Sequence, residues 1–276
     1  MSTKTGGRRL WHPHQHLWNW DLVDRLKQAP GGPLVRRALV RGLVELDSLV
    51  LAAQVLPLVP RTLRARKASS PKPRVLYIDC GVHKRGEQVR KVHDWLDDEC
   101  ELSILGFEAN PATYEEAVSN LDDLSELDLR QVALVGPDEE RETVILHVGT
   151  GDGKGDSLFS ERGSATVEVP AARLSDILTK DYPWFDDAVV LLRMNIEGAE
   201  LFVIEDLVAA GLATSIDAFF GMWDDLSKIN PDKDAAFRSL LKRNGISTLT
   251  FNDRDMPYFL RLWAVRTAIE AAVDSA

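Results

Sequence analysis

Cysteine is scarce in this chain, because Cys80 and Cys100 are the only two among 276 residues. Two thiols are too few for a disulfide framework or a four-thiolate zinc site, and they fit a reducing compartment. Long apolar runs are also missing: the uncharged stretch at residues 48–60 contains prolines and falls far short of the ~20 residues of a membrane span. The first residues, MSTKTGGRRL, lack the apolar stretch of a secretory signal. We therefore expect a cytoplasmic protein.

Neither glycine nor proline is in excess, with 18 and 13 copies, and hydrophobic residues make up 45% of the chain. These values exclude a collagenous, low-complexity or wholly disordered chain. At roughly 150 residues to a domain, the length corresponds to one large α/β unit with an appendage or to two domains.

Charge is divided unevenly along the chain. Residues 1–72 hold 13 Lys and Arg against 4 Asp and Glu, whereas residues 73–276 hold 20 against 39. An acidic body repels a phosphate backbone, so we expect no nucleic-acid partner. The basic N-terminal part could meet an anionic membrane or an acidic surface.

The sequence predicts two parts, a basic and partly helical arm at residues 1–72 and a folded domain at residues 73–276. Apolar residues at three- and four-residue steps within the arm indicate an amphipathic helix. This helix would pack on the body or on a second subunit, which makes a homodimer plausible, or would contact a membrane peripherally. The alternating His12, His14 and His16 are compatible with a metal site and with packing of an ordered arm.

Apolar strands alternate with amphipathic helices from residue 73 onward. This alternation predicts an α/β fold, with a doubly wound and mostly parallel sheet of the Rossmann-like type. The predicted strands cover residues 75–79, 104–110, 131–136, 143–149, 188–195 and 215–223. The predicted helices cover residues 86–99, 112–121, 173–180, 199–211 and 234–245. Residues 247–251 and 258–265 could pair as an antiparallel edge hairpin.

Polar residues follow three of the predicted strands, where ligands bind in such sheets. Asp79 opens the first loop, Glu108 ends the second strand, and residues 193–200 carry several polar groups. Any one of these acids could also be a solvated loop residue or a helix N-cap. In combination they favour a nucleoside cofactor, because Glu108 is placed to accept hydrogen bonds from two vicinal ribose hydroxyls.

The first loop distinguishes between two nucleoside cofactors. A dinucleotide requires G-x-G-x-x-G and an acid about 20 residues further on, whereas here Gly81 and Gly86 stand alone and Glu108 lies 29 residues after Asp79. The carboxylate of Asp79 would repel a pyrophosphate and favour the cationic end of S-adenosylmethionine (SAM). A nicotinamide-dependent oxidoreductase is therefore disfavoured.

The segments YIDCG, GFEANP, QVALVG, ARLSDIL and LLRMNIEGAELFVIEDL, in this order and spacing, resemble the FkbM family of SAM-dependent methyltransferases over roughly residues 73–225. The resemblance implies a class I methyltransferase fold, SAM as cofactor, and methylation of a hydroxyl on a sugar or natural-product scaffold. Asp79 and Gly81 would line the methionine end of SAM and Glu108 would hold the ribose. Asn110 would flank the ribose, Val132 and Ala133 would lie by the adenine, and residues 195–198 would face the reacting methyl.

Two loops depart from the family pattern. His83 stands where the family has Asn, and the second glycine of the first loop arrives one residue late, at Gly86. In the motif Lys-x-Asp-x-Glu-Gly, Arg193 replaces the lysine and Asn195 replaces the aspartate, so an amide that cannot take a proton stands in for a carboxylate.

Methyl transfer to a hydroxyl needs positioning and a base. His83 is the leading candidate because its loop borders the methyl donor, although a surface histidine fits the sequence equally. His147, before a glycine-rich loop, is a possible substrate-side residue or a plain strand histidine. Glu197 could touch substrate or orient a histidine. Asn195, Glu197 and a histidine could hold Mg²⁺, although the spacing alone does not establish a metal site.

Three further features have ordinary structural interpretations. His93 lies inside a predicted helix, and Glu200 suits a helix N-terminus. The loop at residues 149–164 lacks the order of a P-loop, and either a lid over the acceptor site or a mobile surface loop explains it.

The sequence thus predicts a SAM-dependent O-methyltransferase acting on a saccharide, glycolipid or secondary metabolite. The rival hypothesis is a catalytically weakened SAM-binding protein whose arm serves as an interaction or membrane-docking module.

Overall fold

The computed structural model describes residues 73–97, 100–149, 155–159, 165–221, 226–246 and 248–250. In chain order the strands and α-helices are β1 (Arg74–Cys80), α1 (Glu87–Leu96), β2 (Glu101–Phe107), α2 (Pro111–Asn120), β3 (Leu127–Arg130), β4 (Ala133–Leu134), β5 (Thr143–Val148), β6 (Ala165–Ala172), α3 (Leu174–Asp181), β7 (Val189–Met194), α4 (Glu200–Ala209), β8 (Ala218–Gly221), α5 (Leu226–Ile229), α6 (Pro231–Arg243) and β9 (Thr248–Thr250). The predicted arm, with its three alternating histidines, lies outside the described residues.

Six parallel strands form the central sheet, in the order β3-β2-β1-β7-β8-β9. Its middle strands β1 and β7 are buried almost throughout, as expected of near-continuous apolar runs in a sheet that is covered on both faces. The prediction of an α/β fold with a mostly parallel sheet is confirmed.

Helices cover both faces of this sheet. Val75 and Tyr77 of β1 pack in one apolar cluster with residues of α1 and α2, whereas Leu76 and Ile78 pack in a second cluster with residues of α3, α4 and α6. Alternate side chains of one strand thus enter two cores, which is the doubly wound, Rossmann-like arrangement. Within the described ranges, no helix has the length and apolarity needed to cross a membrane.

A second, three-stranded sheet departs from the prediction, which places residues 131–136 and 143–149 among the strands of a single sheet. The order of this small sheet is β4-β6-β5, with β4 parallel and β5 antiparallel to β6. Its central strand β6 has no clear sequence signal, because exposed Thr166 and Glu168 and the proline at position 170 obscure its pattern.

The end of the described chain continues the parallel order. β9 pairs in parallel with β8, so the strand predicted at residues 247–251 is confirmed in part. The antiparallel partner proposed for it, residues 258–265, lies outside the described residues.

Candidate functional site

The direction of strand addition in the central sheet reverses between β1 and β7. β2 and β3 lie on one side of β1, and β7, β8 and β9 lie on the other. The loops that follow these two strands therefore part in opposite directions, and ligands bind at such a switch point in open α/β sheets. We call this region, at the carboxyl ends of β1, β2 and β7, the switch-point crevice.

The loops after β1 and β7 touch at Gly81 and Asn195. The Asn195 N–H donates to the Cys80 carbonyl over 2.9 Å, and a Cβ on Gly81 would overlap the Asn195 carbonyl oxygen. Gly81 also has a φ of 100°, which side chains disfavour. Glycine is therefore required at position 81 by the approach of two protein loops, whatever contact it makes with a ligand.

Glu108 joins the loop after β1 to the loop after β2. Its Oε2 accepts the N–H of His83 over 2.9 Å, and its Oε1 accepts the N–H of Asn110 over 3.0 Å. Burial raises the pKa of Glu108 to about 7 against the lowering effect of these two bonds, and nearby Asp156 and Asp79 add to the rise. Each carboxylate oxygen keeps a second lone pair, so Glu108 can still accept two hydroxyl groups.

Asp79 is fully buried and ion-paired. Arg193 is its neighbour in the register of β1 and β7 and donates to its Oδ1 from Nη1, while the Tyr77 hydroxyl donates to its Oδ2 over 3.2 Å. Burial raises the pKa of Asp79, and Arg193 opposes this rise. The carboxylate expected to face a cationic ligand thus has two partners inside the protein, and its direct contact with a ligand remains a prediction.

Asn110 is the N-cap of α2. Its Oδ1 accepts the N–H groups of Ala112 and Thr113 over 3.0 and 3.5 Å, as expected of an N-cap asparagine. Its Nδ2 donates to Asp156 over 2.6 Å, and Asp156 in turn accepts the Gly149 N–H over 2.7 Å. Asn110 therefore links α2 to the loop that follows β5.

The described segment 155–159 lies over the turn that follows β7. Ser157 exchanges backbone hydrogen bonds of 2.8 and 3.0 Å with His147, and its hydroxyl donates to the Glu197 carbonyl over 2.8 Å. This chain of contacts ties His147, on the second sheet, to the turn that carries Glu197. The rest of the loop for which the sequence left a lid and a surface loop as alternatives, residues 150–154 and 160–164, lies outside the described residues.

Glu200 holds the turn after β7 in shape. Its side chain is 1% exposed, and its two oxygens accept the N–H groups of Ile196 and Gly198, each over 2.8 Å. The structure thus agrees with a role at the N-terminus of α4, and it adds that Glu200 fixes the turn on which Asn195 and Glu197 stand.

Two candidate catalytic residues have strained backbones. Among the described residues, His83 and Glu197 are the non-glycine residues with positive φ, at 60° and 53°. Such conformations cost of order 1–3 kcal/mol and cluster at functional sites. One follows β1 and the other follows β7, on the two sides of the switch-point crevice.

Asn195 has a buried side-chain oxygen, Oδ1, without a hydrogen-bond partner among the described residues. A buried acceptor left in this state costs roughly 1–3 kcal/mol. A ligand with an O–H or N–H group would relieve that cost.

Val132 and Ala133 lie on either side of the start of β4, and both are buried. Val132 packs in the second core cluster and Ala133 in the core of the small sheet. Their predicted place beside an adenine remains a prediction.

The described acids and histidines that lie close enough together to share a metal ion are not those near Asn195 and Glu197. Within the described ranges, the group of three side chains close enough to share an ion is His93, Asp97 and Glu126. Glu126 precedes β3 and Asp97 follows α1, so this group lies at the amino edge of the sheet, opposite the switch-point crevice. A magnesium ion at Asn195 and Glu197 remains a prediction without support from this arrangement.

The sequence indicates no role for three residues of this region. In the sequence, Arg193 is notable only as a departure from a motif, and the register that pairs it with Asp79 is seen only in the structure. Asp156 and Ser157 lie in a loop without periodicity, and nothing in the sequence indicates their partners.

Comparison with protein families identifies a domain within the chain. A family model described as "Methyltransferase FkbM domain" matches residues 79–220, from the end of β1 through β8. No curated protein matches the chain.

The role of Glu200 can be tested with Glu200→Gln. An amide oxygen can replace only one carboxylate oxygen, so one backbone N–H is left facing an NH₂ group, and the free energy of unfolding should fall by about 1–3 kcal/mol. Hydrogen exchange at the amides of Ile196 and Gly198 should accelerate. The matched control is Glu205→Gln. Glu205 lies on the same helix and is also partly buried, as its raised pKa reflects, but no hydrogen bond among the described residues joins it to Ile196 or Gly198. Equal effects of the two substitutions on exchange at these amides would contradict the assignment.

Proposed function

The chain belongs to the methyltransferase FkbM domain family, whose model matches more than half of its residues, and on this premise we propose that it is a SAM-dependent O-methyltransferase. The acceptor would be a hydroxyl of a saccharide, glycolipid or secondary metabolite. The observation that carries the proposal is the position of Glu108, which lies inside the matched region and at the switch point of the sheet.

The residues of the switch-point crevice suit SAM chemically. Glu108 offers two carboxylate oxygens for vicinal ribose hydroxyls, and Asn195 offers a buried acceptor that lacks a donor among the described residues. When bound, SAM supplies a methyl group on a positively charged sulfur. The protein then has to orient the acceptor hydroxyl and remove its proton.

We assign proton removal to His83. The N–H of His83 is fixed on Glu108, which keeps this histidine beside the proposed ribose site, and histidine is the side chain that most often serves as a general base. Asn195 cannot take a proton, so its role would be to orient the hydroxyl that receives the methyl group. Glu197, on the strained turn, would contact the acceptor or orient a histidine, and His147 is tied to that turn through Ser157.

Transfer of labelled methyl groups from SAM to pools of sugars, glycolipids and metabolites tests the reaction class. We expect incorporation into a product that is stable to mild base, as an ether is, and a fall in kcat of about 10²–10⁴-fold in His83→Ala. His93→Ala, at the opposite edge of the sheet, serves as the control and should leave kcat unchanged. SAM binding without transfer to any pool would support the alternative, a weakened SAM-binding protein. Full activity in the presence of a chelator would show that the reaction does not require magnesium.

The pKa of Glu108 predicts a pH-dependent affinity for S-adenosylhomocysteine (SAH). A group with a pKa of about 7 is roughly one-tenth ionised at pH 6 and nine-tenths ionised at pH 8. Because ribose hydroxyls need the ionised form as acceptor, the affinity measured by calorimetry should rise about tenfold over this interval.

Glu108→Gln is the matched control for this titration. It should bind SAH more weakly and should lose the part of the pH dependence that comes from Glu108, while keeping any that comes from the ligand. An unchanged pH profile in the variant would show that Glu108 does not hold the ribose.

A further inference from the structure

Arg193 has hydrogen-bonding capacity that the described residues do not use. Its hydrogen bonds within the described part of the chain both come from Nη1, to Asp79 Oδ1 and to the Gly81 carbonyl, the second over 3.3 Å. A guanidinium carries five N–H donors. The edge formed by Nε and Nη2 is thus left without a protein acceptor among these residues.

The Arg193 guanidinium lies beside the switch-point crevice. The contact with the Gly81 carbonyl places the guanidinium at the loop after β1, and the Arg193 side chain is 15% exposed. Asp79 and Tyr77 lie beneath it and are fully buried. Arg193 is therefore held by Asp79 and by the Gly81 carbonyl, and a small part of its side chain stays accessible beside the loop after β1.

The other cations of the first loop are less suited to bind an anion. Lys84 is paired with Glu116 over 3.7 Å, and Arg85 is paired with Glu87 over 3.5 Å on a side chain that is 69% exposed. The Arg85 pair is exposed and is screened by water, whereas the partly buried Lys84 offers a point charge without a planar donor pair. Arg193, by contrast, has a fixed orientation and the planar donor pair that a carboxylate accepts in bidentate form.

We propose that Arg193 binds the carboxylate of the amino-acid end of SAM and that Asp79 acts as a positioning residue for Arg193 instead of binding the cofactor itself. This inference rests on the proposed function, because it takes SAM as the occupant of the crevice. It replaces the expectation that Asp79 holds the ammonium group directly.

A carboxylate at Arg193 could come from the cofactor or from an acidic acceptor, and the choice of ligand separates these sources. Decarboxylated SAH keeps the adenine, ribose, sulfur and amine of SAH and lacks only the carboxylate. In calorimetry with the full chain and no acceptor, the wild type should bind SAH about tenfold to a hundredfold more tightly than decarboxylated SAH. Equal affinities would contradict the proposal and leave SAM binding intact, whereas binding of neither ligand would overturn the proposed function itself.

Substitution of Arg193 should abolish this preference. Arg193→Met should bind both ligands with the affinity that the wild type has for decarboxylated SAH. Because this variant leaves Asp79 as an uncompensated buried acid, the double variant Asp79→Asn/Arg193→Met is measured beside it and should behave in the same way. Lys84→Met is the matched control and should keep the preference for SAH.

Three outcomes would overturn the inference. The preference for SAH could survive in both Arg193 variants, it could disappear in Lys84→Met instead, or both Arg193 variants could lose affinity for the two ligands equally. The last outcome would mean that Arg193 only supports the loop.

Discussion

Two carboxylates that accept backbone N–H groups, on part-buried Glu108 and buried Glu200, shape the carboxyl edge of this sheet. Glu108 accepts one N–H from its own loop and one from the loop after β1, and Glu200 accepts two from the turn after β7. Loops at such an edge have no ladder of their own to satisfy their amides. The two acids satisfy these amides and, in doing so, set the conformations in which His83 and Glu197 adopt positive φ.

In this arrangement, some charged side chains hold the loops in place and others keep hydrogen-bonding capacity for a ligand. Asp79 and Glu200 are buried and have protein partners, whereas Glu108 keeps acceptor capacity and Arg193 keeps donor capacity toward the crevice. A nucleoside with an amino-acid tail presents hydroxyl donors at one end and a carboxylate at the other. The proposed cofactor therefore complements two groups whose hydrogen-bonding capacity the described part of the chain does not fill.

Much of the fold could be predicted from sequence, because strands such as β1 and β7 are apolar runs and the helix α1 has a clear periodicity. The small sheet could not, since β4 is only two residues long and β6 is mostly exposed. In the site, acids at strand ends were predictable by position. The ion pair between Asp79 and Arg193 was not, because the pattern around an acid at a strand end carries no information about which side chain the neighbouring strand places beside it.

The bonding of Asn110 illustrates the same limit. Its predicted place beside a ribose followed from a motif, whereas the structure shows an N-cap joined to Asp156 across a loop of no regular pattern. Contacts between distant loops depend on how the whole sheet is assembled, and no local sequence signal encodes them.

A crystal structure of the chain with SAH would show whether Glu108 holds the ribose. Both ribose hydroxyls should lie within hydrogen-bond distance of the Glu108 carboxylate, in the space bordered by the loops after β1 and β7. Adenosine density at another edge of the sheet, or a Glu108 carboxylate without contact to the sugar, would show that this assignment is wrong.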